Sequence, residues 1–166
     1  MKNKINIIDN FLPKEEFLKL KTILMSDMMP WFFNDYKVCD TKKEGLNNYQ
    51  FIHVFYKNHQ IWSNHYNCLL PLIDKIKPNS LVRVKANLSN VTKTNIRSDF
   101  HTDIAGVKCT TAIFYINSNN GFTEFEDGKK INSVENRLIT FPSEMKHLGA
   151  TCTDVKRRIV LNFNYF

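Results

Sequence analysis

Arg158-Ile-Val-Leu-Asn-Phe-Asn-Tyr-Phe166 alternates at almost every step. In an extended chain successive side chains point to opposite faces, so Ile159, Leu161, Phe163 and Tyr165 share one side. Arg158, Val160, Asn162 and Asn164 share the other. The apolar side is expected to lie against helices, which turns the arginine and the two asparagines towards an interior. Segments 49–57, 81–88, 109–116, 122–126 and 137–141 also read as extended, being rich in β-branched and aromatic residues. Asp127-Gly128 and Asn119-Asn120-Gly121 are turn signals between them.

Ahead of these strands the period changes. Segment 12–28 has helical spacing, with Phe17, Leu20, Leu24 and Met28 near one face, and Pro13, Glu15 and Glu16 suit its first turn. A second short helix is expected over 69–76, packed through Leu69, Leu72, Ile73 and Ile76 and stopped by Pro78 and Asn79. Helices first and many short strands afterwards indicate an α+β chain, a mainly antiparallel sandwich or barrel backed by N-terminal helices.

The 166 residues suit one domain over 1–166, and 13 Phe, 6 Tyr and 2 Trp supply a sizeable core. Dominant disorder is excluded on that ground. No apolar run approaches the roughly 18–20 residues of a bilayer span, so no membrane association is expected. The N-terminus lacks the features of a secretory signal. Cys39, Cys68, Cys109 and Cys152 are scattered without a CxxC pair, which fits reduced thiols and a cytoplasmic setting. The net charge of +7 admits nucleic acid as a partner, but the charges are spread rather than clustered and nucleic acid is not favoured.

His101-Thr102-Asp103 puts an imidazole and a carboxylate on one face of an extended segment, in position to grip one ion. Taken alone, this spelling also fits a surface pair on a turn. His147 supplies a third donor. Two imidazoles and one carboxylate form the facial triad, which suits non-haem Fe(II) and leaves coordination positions open, whereas a structural zinc site would want a fourth protein ligand. The inward Arg158 requires a buried anion, because an unpaired interior charge is very costly, and its planar fork fits a carboxylate. The adjacent Arg157 falls by parity on the outer face. Asn162 and Asn164 share Arg158's face and are candidates for contact with a small molecule, as is Asn87. His53, His59 and His65 read as surface or packing residues, and Trp31, Phe32 and Phe33 as core in preference to a pocket wall. Cys109 and Cys152 are given no role.

The ordered set His101-Thr-Asp103, His147 and Arg158 resembles the Fe(II)- and 2-oxoglutarate-dependent dioxygenases, in particular their prolyl-4-hydroxylase-like branch with its small viral and phage members. Between the ligands, Thr111-Ala-Ile-Phe-Tyr115-Ile-Asn117, Asn120-Gly121-Phe-Thr123-Glu-Phe125 and Phe141-Pro142 are similar to that branch's strand ending Tyr-Leu-Asn and its following Gly-Gly-x-Thr-x-Phe. Asn120 departs from the usual Gly-Gly. The resemblance covers 81–166 in detail.

It implies a double-stranded β-helix, or jelly roll, with Fe(II) on His101, Asp103 and His147. It further implies that Arg158 pairs with the distal carboxylate of 2-oxoglutarate, assisted by the Tyr115 hydroxyl. The implied activity consumes 2-oxoglutarate and O2, releases succinate and CO2, and hydroxylates a C–H bond of a peptidyl (prolyl) or free amino acid. A nucleic-acid-modifying oxygenase, a non-catalytic jelly-roll binding module and a cupin-type metal enzyme are the competing readings. Segments 38–49 and 89–97 read as loops that cover the pocket mouth and set substrate choice.

Overall fold

A computed structural model describes residues 4–37, 49–104 and 106–166. In chain order its elements are β1 (Asn6–Ile8), α1 (Lys14–Met25), β2 (Phe32–Asn34), β3 (Gln50–Lys57), β4 (Gln60–Ile61), a 3-10 turn (Tyr66–Leu69) and α2 (Leu70–Ile76). These are followed by β5 (Leu81–Asn90), β6 (Thr110–Tyr115), β7 (Asn119–Phe125), β8 (Lys130–Ser133), β9 (Arg137–Pro142), β10 (His147–Gly149) and β11 (Arg157–Tyr165). The larger sheet runs β1-β9-β6-β11-β5-β3-β2, with β4 paired to β3, and the smaller runs β10-β7-β8. Every pairing is antiparallel.

The last strand lies at the centre of the larger sheet, and its alternation separates two cores. Ile159, Leu161 and Phe163 pack with Phe17, Leu20 and Leu24 of α1, Leu72 of α2, and Phe114 and Leu88 of the neighbouring strands. Val160, on the opposite face, joins Ile113, Tyr115, Phe125, Ile131, Ile139 and Phe141 between the two sheets. Each fully buried aliphatic side chain of β11 stabilises the fold by about 1.5–3 kcal/mol. A one-residue slip would put them all on the wrong face, so the burial pattern fixes the register. Two facing antiparallel sheets with helices packed behind the larger are the jelly roll expected from the sequence.

Several boundaries differ from expectation. α1 ends at Met25 because Ser26 turns to extended backbone, so Met28 lies beyond the helix and is 82% exposed. The expected turn at Asn119-Asn120-Gly121 is the start of β7. There the Asn119 side chain accepts from the Gly121 N–H at 3.0 Å and donates to the Asn117 carbonyl, so turn chemistry is satisfied inside an irregular strand. Phe32 and Phe33 are not core. They sit on edge strand β2, 61% and 59% exposed, and no strand among the described residues pairs beyond it. Trp31 does pack against the helix-side core. The 3-residue strands β1, β2 and β10 and the short β4 and β8 were too brief for a sequence pattern to mark.

Candidate metal centre

The segment before Asp103 runs antiparallel to β10, with Arg97 opposite Ala150 and His101 opposite His147. His101 and His147 each donate a backbone N–H to the other's carbonyl at 3.0 Å. This bridge holds the two rings with centroids 4.9 Å apart. Asp103 follows two residues on, and the donor atoms of His101, Asp103 and His147 all lie within 4.8 Å of one another. The Nδ1 of His101 faces the Asp99 carbonyl at 3.0 Å and that of His147 faces the Met145 carbonyl at 3.2 Å. A carbonyl only accepts, so each Nδ1 carries the hydrogen and each Nε2 keeps its lone pair for an ion.

The carboxylate is equally well placed. Burial alone pushes the Asp103 carboxyl up, but His147, Lys85, Arg83 and His101 outweigh it and hold the group below its ordinary value. Arg83 on β5 approaches its Oδ1 at 3.3 Å and Asn164 donates to its Oδ2 at 3.4 Å. Asp103 is therefore ionised, as a ligand must be. Burial lowers the His147 pKa, which keeps that imidazole neutral and able to ligate.

Arg158 enters the cavity between the sheets, as parity requires, and is 6% exposed. Its Nε donates to Ser133 Oγ at 2.8 Å, its Nη2 lies 3.4 Å from Thr123 Oγ1, and its guanidinium stacks over the Tyr115 ring at 5.7 Å. Burial lowers its pKa, and among the described residues no carboxylate offsets its charge. Arg157 points the other way and donates to the Met25 carbonyl at the end of α1. Tyr115 is buried behind the cavity wall, its hydroxyl donating to Thr123 at 2.8 Å, so Thr123 stands between it and the space. Asn162 and Asn87 line the same cavity, each with a buried side-chain oxygen that has no donor among the described residues.

Four contributors lacked an assigned role in the sequence reading: Thr123, Ser133, Gly121 and Arg83. Gly121 is required by space rather than by backbone angle. A Cβ there would lie 2.6 Å from Arg158 Cδ and 2.9 Å from the Ala150 carbonyl. The departing Asn120 instead binds outward to Thr153 and Asp154, so the Asn in place of a glycine does not touch the arginine. A signal for Arg83 did exist, since Arg83, Lys85, Asn87 and Ser89 alternate with apolar residues along β5. His53 is a packing residue, held by the Pro30 carbonyl and Ser63 at 2.7 Å each. Of the two proposed mouth loops, 89–97 is tied to the 149–152 segment through Thr92, Asn95 and Ile96, while 38–48 lies outside the described residues.

No family model and no curated protein matches the sequence. Solved structures do match. A prolyl hydroxylase from Trichoplax adhaerens, in complex with a hypoxia inducible factor oxygen degradation domain peptide fragment, aligns over 99% of this chain and 84% of its own, at 15% identity and TM-score 0.67. A Pseudomonas putida prolyl-4-hydroxylase aligns over 99% and 93%, at 13% identity and TM-score 0.67. The viral collagen prolyl hydroxylase of Paramecium Bursaria Chlorella virus-1, in its 2-oxoglutarate complex, aligns over 98% and 95%, at 13% identity and TM-score 0.62. The chain has the fold of the 2-oxoglutarate- and Fe(II)-dependent oxygenases. Prolyl hydroxylases recur among the matches of this oxygenase fold, and the alignments include the N-terminal half, where the sequence showed only helical and aromatic character. No helix among the described residues is long and apolar enough to cross a membrane.

Proposed function

We propose that this chain is a single-domain Fe(II)- and 2-oxoglutarate-dependent oxygenase that hydroxylates a peptidyl (prolyl) or free amino acid. The observation that carries the reading is the pairing of a preorganised His-Asp-His donor set with a buried arginine that lacks an acid, both opening on one cavity. His101, Asp103 and His147 are the ligands for Fe(II), a borderline-hard ion suited by two imidazoles and one carboxylate. When bound, the iron with 2-oxoglutarate and O2 supplies the oxidising chemistry, releasing succinate and CO2. The protein's own work is positional. Arg158 receives the distal carboxylate of 2-oxoglutarate, with Thr123 as a hydroxyl neighbour and Ser133 holding the guanidinium in plane. Tyr115 supports Thr123 from behind, and Asn162 offers its oxygen to a donor in the cavity. The Nδ1 bonds of both histidines keep their rings in ligating orientation.

The test is anaerobic protein with Fe(II), titrated with 2-oxoglutarate and read by the weak visible charge-transfer band of a chelated 2-oxo acid. The band is expected in wild type, absent in His101→Ala, and shifted to about ten- to hundredfold higher cosubstrate in Arg158→Ala. A folded wild type that binds the metal and shows no band would replace this reading with the non-catalytic binding module.

A further inference from the structure

Asp103 is held from behind by two side chains of the larger sheet. Its own side chain is 3% exposed, with Arg83 at one carboxylate oxygen and Asn164 at the other. Register explains the grouping. Arg83 of β5 lies opposite Asn164 of β11, and Asn164 lies opposite Thr111 of β6, so the three form one row across neighbouring strands.

The two neighbours act differently on the carboxylate. Asn164 is fully buried, and its Nδ2 donates to Thr111 Oγ1 at 3.0 Å and to Asp103 Oδ2 at 3.4 Å. It is a fixed side chain making a directional contact. Arg83 brings Nη2 to within 3.3 Å of Oδ1, yet neither Nη2 nor the buried Nε makes an aligned hydrogen bond among the described residues. A guanidinium that orients a carboxylate does so through its fork, with two parallel N–H···O bonds. Here the fork is unused, so what Arg83 contributes to Asp103 is charge. The arginine side chain is only 21% exposed, which limits screening of that charge by solvent.

The charge acts in opposite senses on the empty and the loaded centre. A buried carboxylate without a cation is costly, and before a metal arrives Arg83 supplies one, with Lys85 also acting on Asp103. When a divalent ion binds, the same guanidinium becomes a like charge beside it, and two cations compete for one carboxylate.

Resting on the assignment of His101, Asp103 and His147 as metal ligands, we propose that Arg83 is the counter-ion of the empty centre, stabilising the unloaded cradle and weakening its hold on the metal. Arg83 is not itself a ligand and acts through Asp103. The affinity of the centre is thereby set below what its three donors alone would give.

The experiment uses the whole chain, stripped of metal, with Co(II) alone as the probe at about pH 8, well above the carboxylate range. Visible absorption of bound Co(II) reports affinity, and thermal melting with and without the ion reports stability. Arg83→Met is expected to bind Co(II) about tenfold more tightly than wild type. It is also expected to melt below wild type without metal and to gain more from the ion. Arg83→Lys keeps the charge and loses the fork, so its Co(II) affinity is expected to stay within about threefold of wild type. Arg83→Gln is the second neutral variant, with the same expectation as Arg83→Met, and decides the matter if the methionine protein does not fold. The proposal is overturned if the neutral variants bind Co(II) no more tightly than wild type, the result expected of an arginine that orients the ligand. It is equally overturned if Arg83→Lys gains affinity as they do. A folded wild type that takes up no Co(II), or that keeps its Co(II) affinity in His101→Ala, would instead count against the metal centre itself, so the two failures are distinct.

Discussion

Replacing Gly121 by alanine tests the packing beneath Arg158, the proposed cosubstrate anchor. The added Cβ would meet Arg158 Cδ at 2.6 Å, Asn119 Oδ1 at 2.8 Å and the Ala150 carbonyl at 2.9 Å. Ordinary contact begins near 3.4 Å, so the arginine stem must move by almost 1 Å, and the Ala150 backbone yields little. Overpacking of this size costs about 1–3 kcal/mol, or roughly 2–10 °C in Tm for a chain of this length. Displacing the guanidinium from Ser133 and Thr123 also misaligns it with a carboxylate, for an expected ten- to hundredfold, on the order of 1.5–3 kcal/mol, weaker binding of 2-oxoglutarate. Thermal melting and the anaerobic charge-transfer titration read the two effects separately. In an Arg158→Ala background the same alanine is expected to cost less, because one of its clashes is gone. A Gly121→Ala protein with wild-type Tm and wild-type cosubstrate midpoint would refute the reasoning. So would equal costs in both backgrounds.

Two further expectations follow from neighbouring groups. Arg157→Met is expected to lower stability by about 1 kcal/mol through loss of the bond to the Met25 carbonyl. It is expected to leave the 2-oxoglutarate midpoint unchanged, and a shift comparable to that of Arg158→Ala would reverse the assignment of the two arginines. His53, whose pKa is lowered chiefly by burial, takes up a proton less readily folded than unfolded. Its contribution to stability is therefore complete above the unfolded histidine pKa of about 6.5 and declines as pH falls below it. Denaturant midpoints between about pH 5 and 7 should fall less steeply on acidification in His53→Gln; an unchanged slope would remove His53 from the titration. His147 is shifted in the same direction, so some slope should persist.

The centre of this fold was legible because β11 is long and alternates at all but Val160, and the same parity that sends Leu161 to the helices sends Arg158 inward. The candidate donors were legible for a different reason: His101-x-Asp103 is weak alone, but His147 and Arg158 follow it in an order that points to one chemistry. What escaped were features set by partners distant in sequence. Gly121 is explained mainly by Arg158 and Ala150, 37 and 29 positions away in the numbering, and Ser133 becomes important because β8 brings it to the guanidinium. Tyr115 was expected to assist the carboxylate, and the partner its hydroxyl takes, Thr123 on the neighbouring sheet, is one that no strand pattern names. Phe32 and Phe33 looked like core because hydrophobicity carries no record of whether a strand has a neighbour on its outer side.

The reciprocal backbone bridge between His101 and His147 has a consequence for metal economy. Because main-chain hydrogen bonds set the distance between the two imidazoles, and carbonyls set their tautomers, the cradle is assembled before any ion arrives. Three nitrogen and oxygen donors at a fixed spacing follow the Irving–Williams order, in which Cu²⁺, Ni²⁺ and Zn²⁺ outbind Fe²⁺. On the proposed function, occupancy would follow the ions that are free at the time, and mismetallation would remove activity without removing the fold.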